Sequence, residues 1–175
     1  MPIGFVLSSY AAFEVLISNI FKGLFDLNVS PLDIALAGQF AENVYFGKPC
    51  GLMDKVASSF GGLMMINFKN PLNPDITQIR AAFRGYSLCV LDTGGRHADL
   101  TGDYASIPDE MKKVAAYFGK EVLREVDPNE FYTSLGLLRD YRDRAVLRAI
   151  HFFEENERVL NQAVALEKGD TSPNF

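Results

Sequence analysis

Apolar side chains recur at intervals of three and four residues over most of this chain, and such spacing predicts helices. The first predicted helix ends near residue 22, and the others span residues 32–45, 52–60, 108–119, 126–138 and 140–168. Glycine, proline or capping residues stand at most of the predicted ends, as they do where helices begin or stop. The pattern therefore predicts a helix-rich protein.

Between residues 63 and 93 the pattern changes to short apolar runs that are typical of strands. Strands are predicted at residues 63–68, 76–83 and 86–93, with a turn at residues 70–75. Together with the helices, these runs predict an α+β fold with a small antiparallel sheet. The best junction between two domains is Gly85. An open edge of such a sheet favours pairing between copies, so self-association is expected.

Composition and charge exclude several kinds of partner and location. The 175 residues are 48% hydrophobic and carry a net charge of −5, which argues against nucleic acid or an anionic membrane surface as a partner. No apolar run reaches about 18 residues, the length of a membrane span. No basic segment precedes the apolar N-terminal region, as it would in a signal peptide. The chain has only two cysteines, which indicates a reducing compartment such as the cytoplasm.

The stretch Gly47–Gly62 joins turn residues to a short amphipathic helix. Gly47 and the nearby Pro49 end the preceding helix, and Gly51 allows a positive φ or close approach of the backbone. Asp54 falls in the first turn of the next helix, where the helix dipole favours an acid. Two interpretations stay open: Asp54 stabilises the start of the helix, or its carboxylate points into a cleft that the break opens.

Two other positions suggest chemistry. Ser8 or Ser9 is placed to cap the first helix, and the same helix end suits an anion because its free N–H groups point outward. Glu42 lies near the C-terminal end of its helix, where an acid is unfavourable for the dipole. It either faces solvent or is placed there for a function. A His-rich metal site is excluded because the chain has only two histidines.

The sequence CGLMD at residues 50–54 resembles the CG[IL]MD signature of galactokinases, which belong to the GHMP family of small-molecule kinases. The resemblance implies a GHMP-kinase-like fold and assigns Asp54 to activation of the sugar hydroxyl. It also places Gly51 and Tyr104 beside the sugar. Tyr104 ends a polar loop, where covering the core is an equally good interpretation.

The sequence GFVLSSYAAFEVL, which begins at Gly4, resembles the phosphate loop of the same family. The resemblance implies that ATP is bound by Gly4, Leu7, Ser8 and Ser9. Two positions depart from the family pattern, since Val6 replaces a glycine and Tyr10 replaces a serine. A β-branched valine resists the backbone conformations that glycine permits, and tyrosine carries its oxygen further out. Both departures weaken the expected nucleotide site.

The sequence AENVYFGKPCG, which begins at Ala41, resembles the family segment whose glutamate contributes to a magnesium site. The resemblance implies that Glu42 and Ser9 hold Mg²⁺, a cation that prefers one or two carboxylates with phosphate oxygens and water. Lys55 stands where the family usually has glutamine. As the residue after Asp54 in a helix, it is expected to point away from the chemistry.

The likeness runs through the whole chain, but the family's N-terminal sugar-binding motif and C-terminal glycine-rich motif are absent. The expectation is a middle fragment in which residues 1–85 end the N-terminal kinase domain and residues 86–175 begin the C-terminal one. The implied activity is ATP-dependent phosphorylation of galactose at its C1 hydroxyl, giving galactose 1-phosphate. The alternative is a truncated or decayed homologue without catalysis that acts as a binding or regulatory module. The 175 residues alone are expected to be inactive.

Overall fold

The computed structural model describes residues 8–47, 50–81, 87, 89–91, 101–138 and 143–169, with only the backbone described at Thr101, Tyr104 and Ala105. The chain divides into two compact units, Met1–Ala82 and Phe83–Phe175. The division lies close to Gly85. The assignment of residues 1–85 and 86–175 to the two kinase domains stays a prediction.

In its described residues, the first unit combines three α-helices with a two-stranded sheet. Its elements are α1 (Ser9–Leu24), α2 (Pro31–Phe40), a π-helical turn (Ala41–Tyr45) that continues α2, α3 (Met53–Phe60), β1 (Met64–Asn67) and β2 (Asp75–Gln78). The helix predicted over residues 32–45 is therefore present, but its last turn is π-helical. Such turns are rare and are frequently found at functional sites, and this one carries Glu42.

Local sequence signals set the ends of these helices. The Ser30 side chain accepts a hydrogen bond from the Asp33 N–H at 3.1 Å, and the Asp33 carboxylate accepts one from the Ser30 N–H at 2.8 Å. This reciprocal pair starts α2, with Pro31 in the first helical position, where its missing N–H has no cost. α3 ends at Gly61, whose φ of 67° favours glycine.

The two strands are antiparallel, with Met64 opposite Gln78 and Asn67 opposite Asp75. The strand predicted at residues 63–68 is present, and the one predicted at residues 76–83 is shorter than expected. Most of the predicted strand at residues 86–93 lies outside the described residues. Leu52, Val56 and Ala35 form the buried centre of this unit, and the side chains packed around them are Leu32, Leu36, Phe60, Met64, Ile66 and Ile76.

The second unit contains α4 (Thr101–Tyr117), a 3₁₀ turn (Leu123–Glu125), α5 (Pro128–Thr133) and α6 (Asp143–Glu167). The prediction that a helix begins at Pro108 was wrong, because α4 begins at Thr101 and contains Pro108. A proline within a helix loses one backbone hydrogen bond. Val114 and Ala115, further along α4, are fully buried in the core of this unit, and that burial offsets the loss.

The core of the second unit is aromatic and aliphatic. Phe131 is fully buried and lies 4.9 Å from Phe153 between ring centroids. Beside this core, the buried Glu110 of α4 accepts a hydrogen bond from Arg144 Nε at 2.9 Å and pairs with Arg148 Nη1 at 2.7 Å. Both arginines belong to α6, so the carboxylate ties the two helices together.

Over the described residues the molecule is thus a helix-rich α+β protein with one small antiparallel sheet, which confirms the predicted fold class. Among the helices in those ranges, none combines the length and the apolar character that crossing a membrane requires.

Candidate active site

A hydrogen bond joins the two segments that the sequence singled out. The Ser8 hydroxyl donates to Asp54 Oδ2 at 2.6 Å, across 46 positions of sequence. Ser8 has φ 50° and ψ 45°, a left-handed conformation that costs a non-glycine residue about 1–2 kcal/mol. This conformation turns its side chain toward Asp54 and away from the start of α1. The predicted cap is therefore wrong, because the side chain of Ser8, the N-cap residue, makes no capping hydrogen bond to α1.

Asp54 lies in the first turn of α3, as predicted, and its side chain is exposed. Gly51 precedes the helix, and a Cβ built there would meet no atom within 4 Å. Gly51 has no positive φ, so the backbone there does not require glycine. Both residues therefore face open space.

That space is a cavity of about 340 Å³. Residues from α1, the π-helical turn and the start of α3 line it, and they are Ser8, Tyr10, Ala11, Glu42, Cys50, Gly51, Met53, Asp54 and Lys55. The structure therefore brings together one residue predicted to bind nucleotide, the predicted catalytic acid and the predicted metal ligand.

Lys55 has the least expected position in this cavity. Its side chain is only 4% exposed, and its ammonium lies 2.8 Å from Glu42 Oε2 and 3.3 Å from Glu14 Oε2. Burial by itself lowers the pKa of Lys55, but the hydrogen bond with Glu42 and nearby negative charge outweigh it and raise the pKa. The expectation that Lys55 points away was wrong, and Glu42 is buried rather than facing solvent.

Side chains of α2 and its π-helical turn hold the backbone before α3. Gln39 Nε2 donates to the carbonyl of Cys50 at 3.2 Å, and Asn43 Oδ1 accepts from its N–H at 2.8 Å. Both polar groups of the Cys50 backbone are thereby satisfied, which fixes the approach to Asp54. Burial, followed by the hydrogen bond with Glu42, raises the pKa of the Cys50 thiol, so it is protonated at neutral pH.

Some predicted site residues cannot be placed. Gly4, Leu7 and Val6 lie outside the described residues, and only the backbone is described at Tyr104. Ser9 is the first residue of α1. The roles assigned to these residues stay predictions.

Sequence reasoning missed Glu14, Gln39, Asn43 and the buried position of Lys55. One signal was available for the charged members, since a lysine next to the apolar face of the amphipathic α3 needs buried carboxylates as partners if it is enclosed. Gln39 and Asn43 are four residues apart on one helix face, which indicates a shared contact.

Comparisons with known proteins find similarity to kinases of one family. Residues 1–62 match the family described as GHMP kinases N terminal domain. The chain is 35% identical over 170 residues to a galactokinase of Actinobacillus pleuropneumoniae serotype 3, covering 97% of this chain and 44% of the relative. A galactokinase of Thermotoga petrophila is 31% identical over 170 residues, with 97% and 47% covered.

The chain is similar to galactokinases, and over residues 1–62 to the N-terminal domain of GHMP kinases. The fold agrees, since the crystal structure of Lactococcus lactis galactokinase complexed with galactose superposes with a TM-score of 0.71. That structure is 23% identical, and the match covers 97% of this chain and 44% of the solved chain. The chain therefore spans about half the length of the relatives it matches.

The similarity to GHMP kinases implies ATP and Mg²⁺. The question is therefore whether the residues present could hold the metal ion. Glu42 fits it poorly, because its carboxylate already binds the Lys55 ammonium at 2.8 Å. In the described ranges no three His, Cys, Asp or Glu residues cluster as a metal site. The uncapped N-terminus of α1 does fit an anion such as a nucleotide phosphate.

Proposed function

We propose that this chain supplies part of the active site of an ATP-dependent sugar kinase that phosphorylates the C1 hydroxyl of galactose. The hydrogen bond from Ser8 to Asp54 carries the proposal. It joins the segment that resembles a phosphate loop to the predicted catalytic acid at one cavity. Phosphoryl transfer needs the phosphate donor and the acceptor hydroxyl in this kind of proximity.

Asp54 has the chemistry that the transfer requires. Its carboxylate is exposed and already accepts a hydrogen bond from a hydroxyl at 2.6 Å, so a sugar hydroxyl is a chemically equivalent donor. We assign Asp54 to orient the C1 hydroxyl and accept its proton as the oxygen bonds to the terminal phosphorus of ATP, whose bond to the bridging oxygen breaks so that ADP leaves. Gly51 leaves room beside it for the sugar, and Tyr104 is proposed as a further sugar contact.

The N-terminus of α1 is proposed as the phosphate site. Its backbone N–H groups have no side-chain cap, and the positive end of the helix dipole stabilises an anion. Ser8 and Ser9 stand at this end, and the preceding Gly4 and Leu7 complete the proposed loop. ATP supplies the phosphoryl group when it is bound there.

A cytoplasmic location is part of the proposal. Cys50 and Cys89 are both free thiols, as is usual in a reducing compartment.

Asp54→Asn in the full-length gene product tests the assignment. We expect turnover with galactose and ATP to fall by about 10²–10⁴, the usual contribution of a general base. The melting temperature changes little, because asparagine retains most of the helix-start function. Asp75→Asn, a change of an exposed acid on β2, is the matched control and leaves turnover unchanged. Turnover within threefold of wild type in Asp54→Asn would leave Asp54 as a helix-start acid only.

A second function, a non-catalytic binding or regulatory module, is favoured by the ion pair between Lys55 and Glu42. The carboxylate assigned to the metal is neutralised inside the protein, as in a homologue that no longer carries out metal-assisted transfer. Kinase assays of the full-length product over a sugar panel separate the two functions. Turnover of any sugar supports the kinase, and sugar binding without turnover supports the module.

A further inference from the structure

Lys55 lines the cavity, and the first unit encloses nearly all of its side chain. α3 carries it, Glu14 of α1 and Glu42 of the π-helical turn hold its ammonium, and Gly38 of α2 lies against its stem. The side chain is only 4% exposed. An ammonium held from several elements cannot swing away as a surface lysine does.

Gly38 shows that the packing is fitted to this lysine. A Cβ added at Gly38 would lie 3.2 Å from Lys55 Cε, 3.3 Å from Lys55 Cδ and 3.1 Å from Glu14 Oε2. These separations are tighter than ordinary van der Waals contact, which begins at 3.4 Å. The absence of a side chain at residue 38 therefore makes room for the side chains of both Lys55 and Glu14.

The positive charge of Lys55 determines whether Glu42 can also bind a metal ion. A divalent cation on the Glu42 carboxylate would lie within a few ångströms of the Lys55 ammonium, and like charges repel strongly in a poorly solvated site. Glu42 itself is only 8% exposed, so water does little to screen that repulsion. Glu14 provides a second carboxylate at 3.3 Å, which holds the ammonium in place.

We propose that the Lys55 ammonium is the permanent counter-ion of Glu42, so that Glu42 binds no divalent cation in this protein. The lysine supplies, as part of the chain, the positive charge that a bound metal would bring to this carboxylate. The proposal goes beyond the kinase function and holds whether or not the protein turns over a sugar.

A metal titration of the 175-residue chain tests the claim that Glu42 binds no divalent cation. Wild type and Glu42→Gln are titrated with Mn²⁺, and free Mn²⁺ is measured by its electron paramagnetic resonance signal. We expect the same Mn²⁺ affinity, or the same lack of binding, for both proteins. Circular dichroism confirms that each is folded. Binding in wild type that weakens about tenfold or more in Glu42→Gln, a loss of about 1.4 kcal/mol, overturns the proposal.

Replacing Lys55 tests the claim that its ammonium is the counter-ion of Glu42. Lys55→Gln removes the internal cation, and we expect Mn²⁺ affinity to rise at least about tenfold because a repulsive charge is gone. The double variant Lys55→Gln with Glu42→Gln loses that gain. Lys69→Gln, which changes an exposed lysine of the same unit, shows no gain. No gain in folded Lys55→Gln overturns the proposal, and if that variant does not fold, the comparison of wild type with Glu42→Gln decides.

Discussion

Ser8 adopts a left-handed backbone conformation in which its hydroxyl reaches Asp54. For a residue other than glycine or asparagine this conformation is strained, and it persists only when the surroundings enforce it. A strained residue beside a predicted catalytic acid is the kind of outlier from which function is inferred. It also explains why α1 lacks the serine cap that its sequence suggests.

Ser8→Gly and Ser8→Ala together measure that strain. Both variants lose the hydroxyl, but only alanine keeps a Cβ at φ 50°. We expect Ser8→Gly to be more stable than Ser8→Ala by about 1 kcal/mol in urea unfolding. The same pair at Ser58, which is exposed within α3, gives the opposite order because glycine disfavours a helix interior. The same order at both positions would contradict the left-handed assignment.

At the level of single residues, the sequence predicted Asp54 in the first turn of α3 and failed for Lys55. Position in a helix follows from local signals such as the break at Gly47, whose φ is 60°. The direction of a long side chain depends on its partners, and Glu14 and Glu42 lie 41 and 13 positions away in sequence. No local pattern encodes that pairing.

One buried carboxylate, that of Glu110, contributes to the pairing of α4 with α6. The hydrogen bond from Arg144 is the main reason that the pKa of Glu110 lies below its ordinary value of 4.5, and burial acts in the opposite direction. A carboxyl group whose pKa is lowered by folding stabilises the protein above the pKa of the unfolded chain. That stabilisation is lost as the pH falls through the lower folded pKa.

Glu110→Gln tests this relation. We expect wild type to be more stable than Glu110→Gln at pH 7, and the difference to shrink as the pH falls below about 4.5. Urea unfolding of both proteins at several pH values measures it. Glu154→Gln, which changes an exposed acid of α6, is the control and has no such pH dependence. A difference that is constant with pH would show that the carboxylate charge does not contribute.

The ends of the helices were predicted well where capping residues and glycines mark them, and poorly elsewhere. Ser30 with Pro31 marks the start of α2, and Gly61 marks the end of α3. The start of α4 was misplaced because Pro108 is a usual helix starter. Here α4 contacts other parts of the unit on both sides of Pro108, since Arg148 donates to Ser106 Oγ before it and Val114 lies in the core after it. Tertiary contacts therefore set the start of α4, and the local sequence alone does not predict it.

At the scale of the molecule, much apolar surface is left exposed in the first unit. Phe13, Leu24 and Phe25 of α1 and the residue after it are 63%, 72% and 67% exposed. Within the described residues each strand pairs only with the other, so both have an open edge. Self-association thus stays a prediction, with two candidate surfaces.

We expect sedimentation velocity at micromolar concentrations to show species larger than a monomer. Phe13→Ser with Leu24→Ser reduces them if α1 forms the contact, because apolar burial drives association. Leu147→Ser, an equally exposed change in the second unit at 63%, is the control. Oligomers that persist in the double variant would indicate the sheet edge, and a wild-type monomer would contradict the prediction.

The 175 residues expressed alone are expected to show no galactokinase turnover and only weak ATP binding. They cover 44% of the A. pleuropneumoniae relative, and phosphoryl transfer depends on many positioning contacts acting together. A coupled kinase assay measures the turnover, and titration calorimetry measures the binding. A micromolar dissociation constant for ATP would contradict the second expectation and show that Val6 and Tyr10 are tolerated.

The clearance at Gly38 constrains the order in which this protein can change over generations. A lineage that gains a side chain at residue 38 while Lys55 is in place passes through a strained intermediate, since the new atom would lie 3.2 Å from the lysine stem. A lineage that first replaces the lysine with a shorter residue removes that clash and keeps only the close contact with Glu14 Oε2 at 3.1 Å. The two positions are therefore epistatic, and the effect of a substitution at one depends on which residue already occupies the other.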